Sequence, residues 1–208
     1  MTTRRPPPLR RAVSDEDKER RRTELMAAGR RVFAEHGFQA ATMADVARAA
    51  GVSYGVVYWY FDSKDELFHA LMTAEADALR GRIEAAVAAA PPGDLRAGMR
   101  AAVGATFAFF ADDREAATLL FRDASLLGTA FEKHLFSIYG RFLDDLTGVL
   151  QDSQDRGAVR RAPPRLVAFS VASLVTSVAL RRLRTDDGLD VDGAADLVVD
   201  LLFEGLGP

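Results

Sequence analysis

The segment from residue 42 to residue 64, TMADVARAAGVSYGVVYWYFDSK, constrains the fold of this chain more than any other. Thr42 and Asp45 have the spacing of a helix capping box. The apolar residues that follow them repeat at helical intervals: Met43, Val46, Ala47 and Ala50. Gly51 is placed to end this helix, because glycine adopts the left-handed conformation without a Cβ clash, and Ser53 can begin a second one. Two short helices joined by a tight turn predict a helix-turn-helix that must pack on a larger body.

The second of these helices has an unusual composition for a purely structural element. Gly55 lies in its first turn, where glycine costs about 1 kcal/mol relative to alanine. A bare backbone there is useful if a ligand or a DNA strand must come close. Tyrosine hydroxyls, the indole N–H and Lys64 could donate hydrogen bonds to phosphates. The same aromatic residues could instead be core anchors of a three-helix unit, and the pattern alone leaves both interpretations open.

The segment ATMADVARAAGVSYGVVYWYFDSKDELF, with the preceding ELMAAGRRVFAEHGF, resembles the DNA-binding signature of the tetracycline-repressor (TetR) family of transcriptional regulators. The shared features are a capping threonine, an Ala-Gly-Val-Ser turn, a glycine, a Tyr-x-Tyr-Phe run and a Ser-Lys pair. The resemblance implies an all-α protein with an N-terminal three-helix helix-turn-helix DNA-binding domain and a C-terminal helical domain for ligand binding and dimerisation. It also implies a two-fold dimer that docks a recognition helix into each of two successive major grooves.

Carried over position by position, the resemblance implies that nine residues contact DNA: Thr42, Ser53, Tyr54, Gly55, Val56, Tyr58, Trp59, Tyr60 and Lys64. Thr42 would approach a phosphate at a helix N-terminus, and Lys64 would be the phosphate lysine. The chain departs from the family at position 54, where lysine or glutamine is common, and at position 56, where threonine is common. Tyrosine and valine offer fewer hydrogen bonds to base edges. We therefore expect contact with thymine methyl groups more than bidentate reading of guanine.

Three regions follow from these patterns. Residues 1–17 are rich in proline and arginine and predict a disordered basic tail, which is either an arm that reaches the DNA or a solvated extension. Residues 18–68 form the predicted DNA-binding domain, whose first helix has a buried stripe and several arginines that would give general phosphate affinity. Residues 69–208 form the predicted effector-binding and dimerisation domain.

A long helix is expected to connect the two domains. The Ser63–Glu66 spacing predicts another capping box, and the helical pattern continues to about Ala90, before Pro91-Pro92-Gly93. Such a helix would be about 40 Å long, at 1.5 Å per residue. It would begin beside Lys64 and end in the second domain, which makes it a natural lever.

Residues 94–157 carry seven phenylalanines between positions 107 and 142, and the resemblance makes this segment the effector cavity. Most of these side chains are expected in the core, since pockets are chiefly apolar with a few polar groups. The candidate pocket residues are Phe107, Phe110, Phe121, Arg122, His134, Tyr139 and Thr176. An aliphatic, acyl-chain-like or planar aromatic molecule would suit this segment, and Arg122 could meet an acidic end.

The last two predicted helices indicate an interface. Residues 166–180 are apolar or small with interspersed hydroxyls, and residues 194–205 carry an apolar stripe at helical spacing. In the resembling family, two terminal helices from each subunit form a four-helix dimer bundle. The predicted interface residues are Leu166, Phe169, Ser173, Leu197, Leu201 and Leu202. The alternative is that the stripe only covers the chain's own domain.

Composition argues against several other classes of protein. The 208 residues include no cysteine, so the chain has neither a disulfide framework nor a thiolate metal site. The three histidines lack ligand spacing, and no catalytic motif stands out, so we predict no enzyme activity, metal or cofactor. Residues 166–180 are too short and too hydroxyl-rich to span a membrane, for which about 18 apolar residues are needed. The N-terminus has no apolar signal core, so we expect a cytoplasmic protein.

The charge distribution gives modest support to a DNA-binding first domain. Residues 1–68 contain 12 basic and 10 acidic residues, whereas residues 69–208 contain 15 and 20. The leading hypothesis is a homodimeric repressor that binds a palindromic DNA operator and is released by a hydrophobic small molecule, without a membrane partner. One rival is a helical ligand-binding or enzymatic protein with no DNA affinity. Another is a DNA-binding regulator whose second domain has no cavity.

Overall fold

The computed structural model describes residues 14–121 and 129–206, with side chains for residues 14–117 and 140–204. Within these ranges the chain is α-helical without β-strands, as predicted. The helices are α1 (Asp15–Ala40), α2 (Met43–Ala50), α3 (Tyr54–Tyr60), α4 (Lys64–Ala88), α5 (Leu95–Asp112), α6 (Arg114–Phe121), α7 (Thr129–Asp155), α8 (Pro164–Arg182) and α9 (Val191–Leu206). Residues 1–13 of the predicted tail lie outside the described residues. Helix α1 already begins at Asp15, because the Ser14 hydroxyl accepts a hydrogen bond from the Asp17 backbone N–H at 3.1 Å.

Local sequence signals determine where the first helices begin and end. The Thr42 hydroxyl accepts a hydrogen bond from the Asp45 N–H at 3.2 Å, and the Asp45 carboxylate accepts one from the Thr42 N–H at 3.1 Å. This is the predicted capping box. Gly51 ends α2 with φ of 66°, and Gly37 interrupts α1 with φ of 77°. The box at Ser63 is modified, because the Glu66 carboxylate accepts from the Asp62 N–H instead of the Ser63 N–H.

The first three helices pack around the start of α4. Phe33, Phe38 and Phe68 form an aromatic cluster whose ring centroids are 4.8 to 5.9 Å apart. Gly29 allows α1 to approach α4 closely, because a Cβ at this position would lie 3.0 Å from Cδ2 of the fully buried Leu67. The helix-turn-helix is therefore held against the first turns of α4.

The second half of α4 belongs to the C-terminal bundle. It packs on α5, which in turn packs on α9, while α7 packs on α8. The 25 residues of α4 end at Ala88, slightly before the predicted Ala90, and span about 37 Å. The core is continuous from Leu25 in α1 to Val199 in α9, so the predicted domain boundary falls inside one helix.

The Lys64 side chain fastens the beginning of α4 to the end of α1. Its Nζ lies 2.7 Å from the Phe38 carbonyl oxygen, 3.0 Å from that of Ala41 and 3.3 Å from that of Gln39. The last carbonyls of a helix have no partner within the helix, and an ammonium group has three protons to donate. Lys64 Nζ also lies 4.4 Å from the centroid of the Phe38 ring. Lys64 therefore stabilises the contact between α1 and α4 in the DNA-free chain.

Replacing Lys64 with methionine tests its contribution to stability. The Lys64→Met variant keeps an unbranched apolar stem but leaves three carbonyl oxygens without their donor, so the free energy of unfolding should fall by about 1–3 kcal/mol. Urea denaturation followed by circular dichroism measures the change. Lys18→Met is the matched control, because Lys18 forms an exposed ion pair with Asp15 on α1, and its loss should leave the urea midpoint unchanged. Equal midpoints for Lys64→Met and the wild type would contradict the assignment.

Candidate nucleic-acid interface and adjoining cavity

Helix α3 presents most of its aromatic side chains to solvent. Trp59 is 66% exposed, Tyr54 54% and Tyr58 38%. Val57 is the one buried residue of this helix. The Thr42, Ser53 and Gly55 positions are also exposed, and Val56 and Tyr60 are half-buried. The interpretation of all these aromatics as core anchors is therefore wrong for Tyr54, Tyr58 and Trp59.

Two aromatic pairs order this surface. The Tyr54 and Tyr58 rings have centroids 4.7 Å apart, and their hydroxyls share a hydrogen bond at 3.0 Å. This hydrogen bond raises the pKa of Tyr58. Trp59 packs edge-on against Tyr60, with centroids 4.6 Å apart. Each ring thus restrains its neighbour before anything binds.

Gly55 has no structural reason to be glycine within the chain. It is exposed, and a Cβ built on it would meet no other heavy atom within 4 Å. Its φ is negative, so its conformation suits any residue. Glycine is nevertheless unfavourable in a helix. The open space at this position is therefore available to an external molecule.

The N-cap residues of α2 and α3 differ in whether their side chains are engaged in capping hydrogen bonds. The Thr42 hydroxyl donates to the Asp45 carboxylate at 2.5 Å, and this hydrogen bond lowers the pKa of Asp45. Both the hydroxyl and the N–H of Thr42 are thus engaged within the chain. Ser53 occupies the N-cap position of α3 without a capping hydrogen bond from its side chain. The DNA contacts of Thr42 and Lys64 stay predictions, and each would require an exchange of partners.

Three of the α1 arginines that the sequence suggested for general phosphate affinity have partners within the chain, and their phosphate contacts stay predictions. Arg20 and Arg21 pair with acidic residues on α1, at 2.8 Å from Asp17 and 2.7 Å from Glu24. The Arg22 guanidinium lies 5.2 Å from the centroid of the Phe61 ring. These contacts orient the arginines by local pairing and packing.

Arg30 joins α1 to two later helices. Its Nε lies 3.0 Å from Glu75 in α4, and its Nη2 forms an ion pair with Asp113, just before α6. Burial raises the pKa of Glu75, and the charge of Arg30 only partly offsets this effect. Burial also acts on Asp113, but the hydrogen bonds from Arg30 and from backbone N–H groups outweigh it and lower the pKa of Asp113. The expectation that Arg30 lies on an outer, phosphate-facing surface is wrong, because its acidic partners are far away in sequence.

A cavity of about 570 Å³ lies between α4, α5, α7 and α8. Its described lining is mainly apolar and includes two of the predicted pocket residues, Phe110 and Thr176. Phe107 is buried in the core and is not among the described lining residues, and the Arg182 guanidinium lies 5.7 Å from the centroid of its ring. Arg122 and the side chains of Phe121, His134 and Tyr139 lie outside the described residues.

Sequence reasoning missed the charged residues of this cavity. Asp77 and Arg80 lie one turn apart on α4, Arg141 belongs to α7, and Arg156 directly follows the last residue of α7. The positions of Asp77 and Arg80 indicate a shared helix face. Nothing in the linear pattern shows that α7 faces them, so the charged wall emerges only in the folded chain.

The two terminal helices each have a buried face and an exposed apolar face. Helix α8 buries Ala168, Val171, Val175 and Ala179. Its opposite face exposes Leu166 and Phe169, at 61% and 57%, together with Ser173.

Helix α9 divides its predicted single stripe between two surroundings. Ala194 and Val198 are buried against the chain's own core, whereas Leu197 and Leu201 remain exposed. Leu202 is half-buried and packs on the core. It is therefore less accessible than Leu197 and Leu201, and its place in an interface stays a prediction.

Helix α8 is also long and apolar enough to cross a membrane on length and composition alone. Its best window has a mean hydropathy of 1.3, and 22% of that window is buried. From the sequence we expected no apolar run of about 18 residues, with residues 166–180 too short, whereas the helix in the structure has 19 residues. Core helices of proteins without a membrane span satisfy the same criterion.

Comparisons with known proteins agree with this geometry. Residues 25–71 match the model of the bacterial regulatory proteins of the tetR family. The HTH-type transcriptional repressor KstR2 of Rhodococcus jostii is 30% identical over 203 residues, which cover 97% of each chain. The HTH-type transcriptional activator FasR of Mycolicibacterium smegmatis is 29% identical over 190 residues, which cover 91% of this chain and 84% of FasR.

Solved structures of transcriptional regulators have the same fold. The transcriptional regulator FadR of Bacillus subtilis, solved in complex with stearoyl-CoA, superposes with a TM-score of 0.79 at 19% identity, over 88% of this chain and 98% of FadR. The KstR2 similarity extends over nearly the whole chain, including the helices around the cavity. The chain therefore belongs to the tetR family of bacterial regulatory proteins and is a DNA-binding transcriptional regulator, not an enzyme.

Proposed function

We propose that this chain is a cytoplasmic homodimeric repressor that binds a palindromic operator and is released by a mostly apolar small molecule. The observation that carries the proposal is the exposed surface of α3, which lies directly before the helix that also forms a wall of the cavity. A repressing direction is supported by KstR2, a repressor similar over almost its full length.

The exposed surface of α3 suits the major groove. In helix-turn-helix proteins, the first residues of the recognition helix contact base edges. Tyr54 and Gly55 occupy these positions, with the Tyr54 ring restrained by Tyr58. The ring faces are suited to thymine methyl groups, and the hydroxyls and the Trp59 indole N–H to phosphates.

The exposed apolar faces of α8 and α9 suit a second copy of the chain. Leu166, Phe169, Leu197 and Leu201 are large exposed hydrophobic residues, and clusters of such residues mark interaction sites. Ser170, Ser173 and Ser177 also lie on the exposed side of α8, where small side chains allow close packing of helices. A dimer would place two copies of α3 on successive major grooves, about 34–36 Å apart.

The cavity suits an apolar effector. Its volume of about 570 Å³ falls within the usual range of ligand pockets, about 300–1,000 Å³. The same fold accommodates stearoyl-CoA in FadR. A cavity also favours an effector-controlled regulator over one whose second domain is filled. A coupling free energy of about 1–3 kcal/mol between the cavity and α3 would change operator occupancy several-fold or more.

Selection of bound DNA from a random pool tests the proposal directly. The expected result is an inverted repeat whose half-sites are about one helical turn apart and whose affinity falls steeply as the salt concentration rises. Enrichment of no sequence, or of a single unrepeated site, would contradict the proposal.

Replacing Gly55 with alanine should separate DNA affinity from stability. The added methyl group meets nothing within the chain, so the free energy of unfolding should stay equal or rise by up to about 1 kcal/mol. The methyl group would occupy the space needed by the DNA, and the affinity for the selected operator should fall about tenfold or more, which is about 1.4 kcal/mol or more. Urea denaturation and fluorescence anisotropy measure the two effects.

Gly81→Ala is the matched control for this substitution. Gly81 is also an exposed helical glycine without a neighbour within 4 Å, but it lies in the second half of α4. Its replacement should raise stability similarly and leave operator affinity unchanged. Tight operator binding by the Gly55→Ala variant would show that DNA does not approach this position.

Charges introduced on the exposed face of α9 should dissociate the dimer. In the double variant Leu197→Glu/Leu201→Glu, four carboxylates would meet at the two-fold interface, whereas the proposed wild-type dimer would bury four leucines there. Sedimentation should give the mass of one chain, and operator affinity should fall about 100-fold or more because the second half-site no longer binds intramolecularly. Ala78→Glu, on the exposed side of α4, should leave both properties unchanged. A double variant that sediments as a dimer would place the interface elsewhere.

A further inference from the structure

We infer that the effector carries an anionic group and that this group binds by displacing aspartates from two ion pairs that join α4 to α7. The inference rests on the proposed function, because it concerns the ligand of the same cavity. It goes further by assigning the charge of the ligand, the residues that bind this charge and the contacts that are lost on binding.

The two ion pairs lie one helical turn apart at the cavity wall. Arg80 on α4 reaches Asp145 on α7, with Nη2 and Oδ2 2.9 Å apart, and its Nε also donates to Glu84 of α4 at 2.8 Å. In the other pair, Asp77 on α4 faces Arg141 on α7, with Oδ1 and Nη2 3.7 Å apart. Asp77, Arg80 and Arg141 all line the cavity. We call these contacts the α4–α7 ion pairs.

The remainder of the described cavity wall offers an apolar surface to a ligand. It includes Leu79, Ile83, Val103, Phe110, Val171 and Val175. The hydroxyl of the buried Thr106 donates to the Ala102 carbonyl oxygen at 2.8 Å. The charged groups of the described lining are Asp77, Asp94, Arg80, Arg141 and Arg156, which give a net charge of +1. This composition is complementary to an apolar molecule with one negative end.

An anionic group can replace a carboxylate in these pairs at low cost. Both pairs are substantially exposed, and ion pairs between exposed residues contribute little to stability. A guanidinium binds carboxylate and phosphate oxygens in the same geometry, often with two parallel hydrogen bonds. A ligand whose apolar body occupies the cavity holds its anionic end beside Arg80 and Arg141 at high effective concentration. An uncharged ligand of equal length cannot make this exchange.

The exchange would free one side of α4. The α4–α7 ion pairs attach the second half of α4 to α7, whereas Lys64 and Glu75 attach its first half to α1. When Arg80 and Arg141 turn to a ligand, α4 loses attachments to α7 and keeps those to the helix-turn-helix. A displacement of α4 would then carry α3 with it.

Three probes with the same ten-carbon chain test the charge of the ligand. Decanoate, decyl phosphate and 1-decanol are titrated into the full chain by calorimetry, and operator affinity is measured at saturation with each. At least one of the two anions should bind about tenfold or more tightly than 1-decanol and should weaken operator binding. Whichever anion binds more tightly identifies the head group. Equal or tighter binding of 1-decanol, or binding of none of the three probes, would overturn the inference.

Four substitutions test the exchange itself. Arg80→Gln and Arg141→Gln should each reduce the affinity for the preferred anion towards that of 1-decanol. Arg82→Gln is the matched control, because Arg82 lies on the same helix but pairs with Asp112 outside the cavity, and it should keep the preference. Asp145→Asn removes one of the two carboxylates that pair with Arg80, leaves Glu84 in place and keeps the arginine, so the affinity for the anion should rise about threefold.

The opposite signs of Arg80→Gln and Asp145→Asn distinguish ligand binding from a purely structural ion pair. If the pair only supported the fold, both substitutions would weaken anion binding in parallel, and that result would overturn the inference. Binding of the selected operator by the ligand-free chain separates the two proposals. A chain that binds the operator but prefers 1-decanol contradicts the inference alone, whereas a chain that selects no DNA contradicts the proposed function.

Discussion

The attachment of α1 to the beginning of α4 is the contact on which the DNA-binding half depends. Helices α2 and α3 are too short to be stable alone, so they need a fixed surface beneath them. Gly29 lets α1 approach Leu67, and Lys64 ties the last carbonyls of α1 to the first turn of α4. The position of α3 is thereby defined by the same helix that forms a wall of the cavity. One rigid helix thus contacts both the DNA-binding half and the cavity.

The parts of this fold that could be predicted from the sequence are those determined by near neighbours in the chain. The capping box at Thr42 and the glycine stop at Gly51 depend on residues within a few positions of one another. The exposed surface of α3 follows from the same local pattern, together with a family resemblance. Such signals are independent of how the helices are arranged in space.

The interactions that escaped prediction all join distant segments. Lys64 meets α1, Arg30 meets Glu75 and Asp113, and Arg80 meets Asp145. A basic residue on a helix surface looks the same in sequence whether it faces phosphate, a carbonyl group or an aspartate. Only the packing of helices decides among these partners. The division of the α9 stripe, with Leu197 outside and Leu202 inside, depends in the same way on how α9 rests on α5.

The position of Trp59 makes the intrinsic fluorescence of the molecule a probe of α3. It is the single tryptophan of the chain, and it lies exposed on α3. The intrinsic indole fluorescence of the chain therefore originates from α3. The chain carries its own optical probe at this surface, whose emission responds to local polarity and to stacked bases without any attached label.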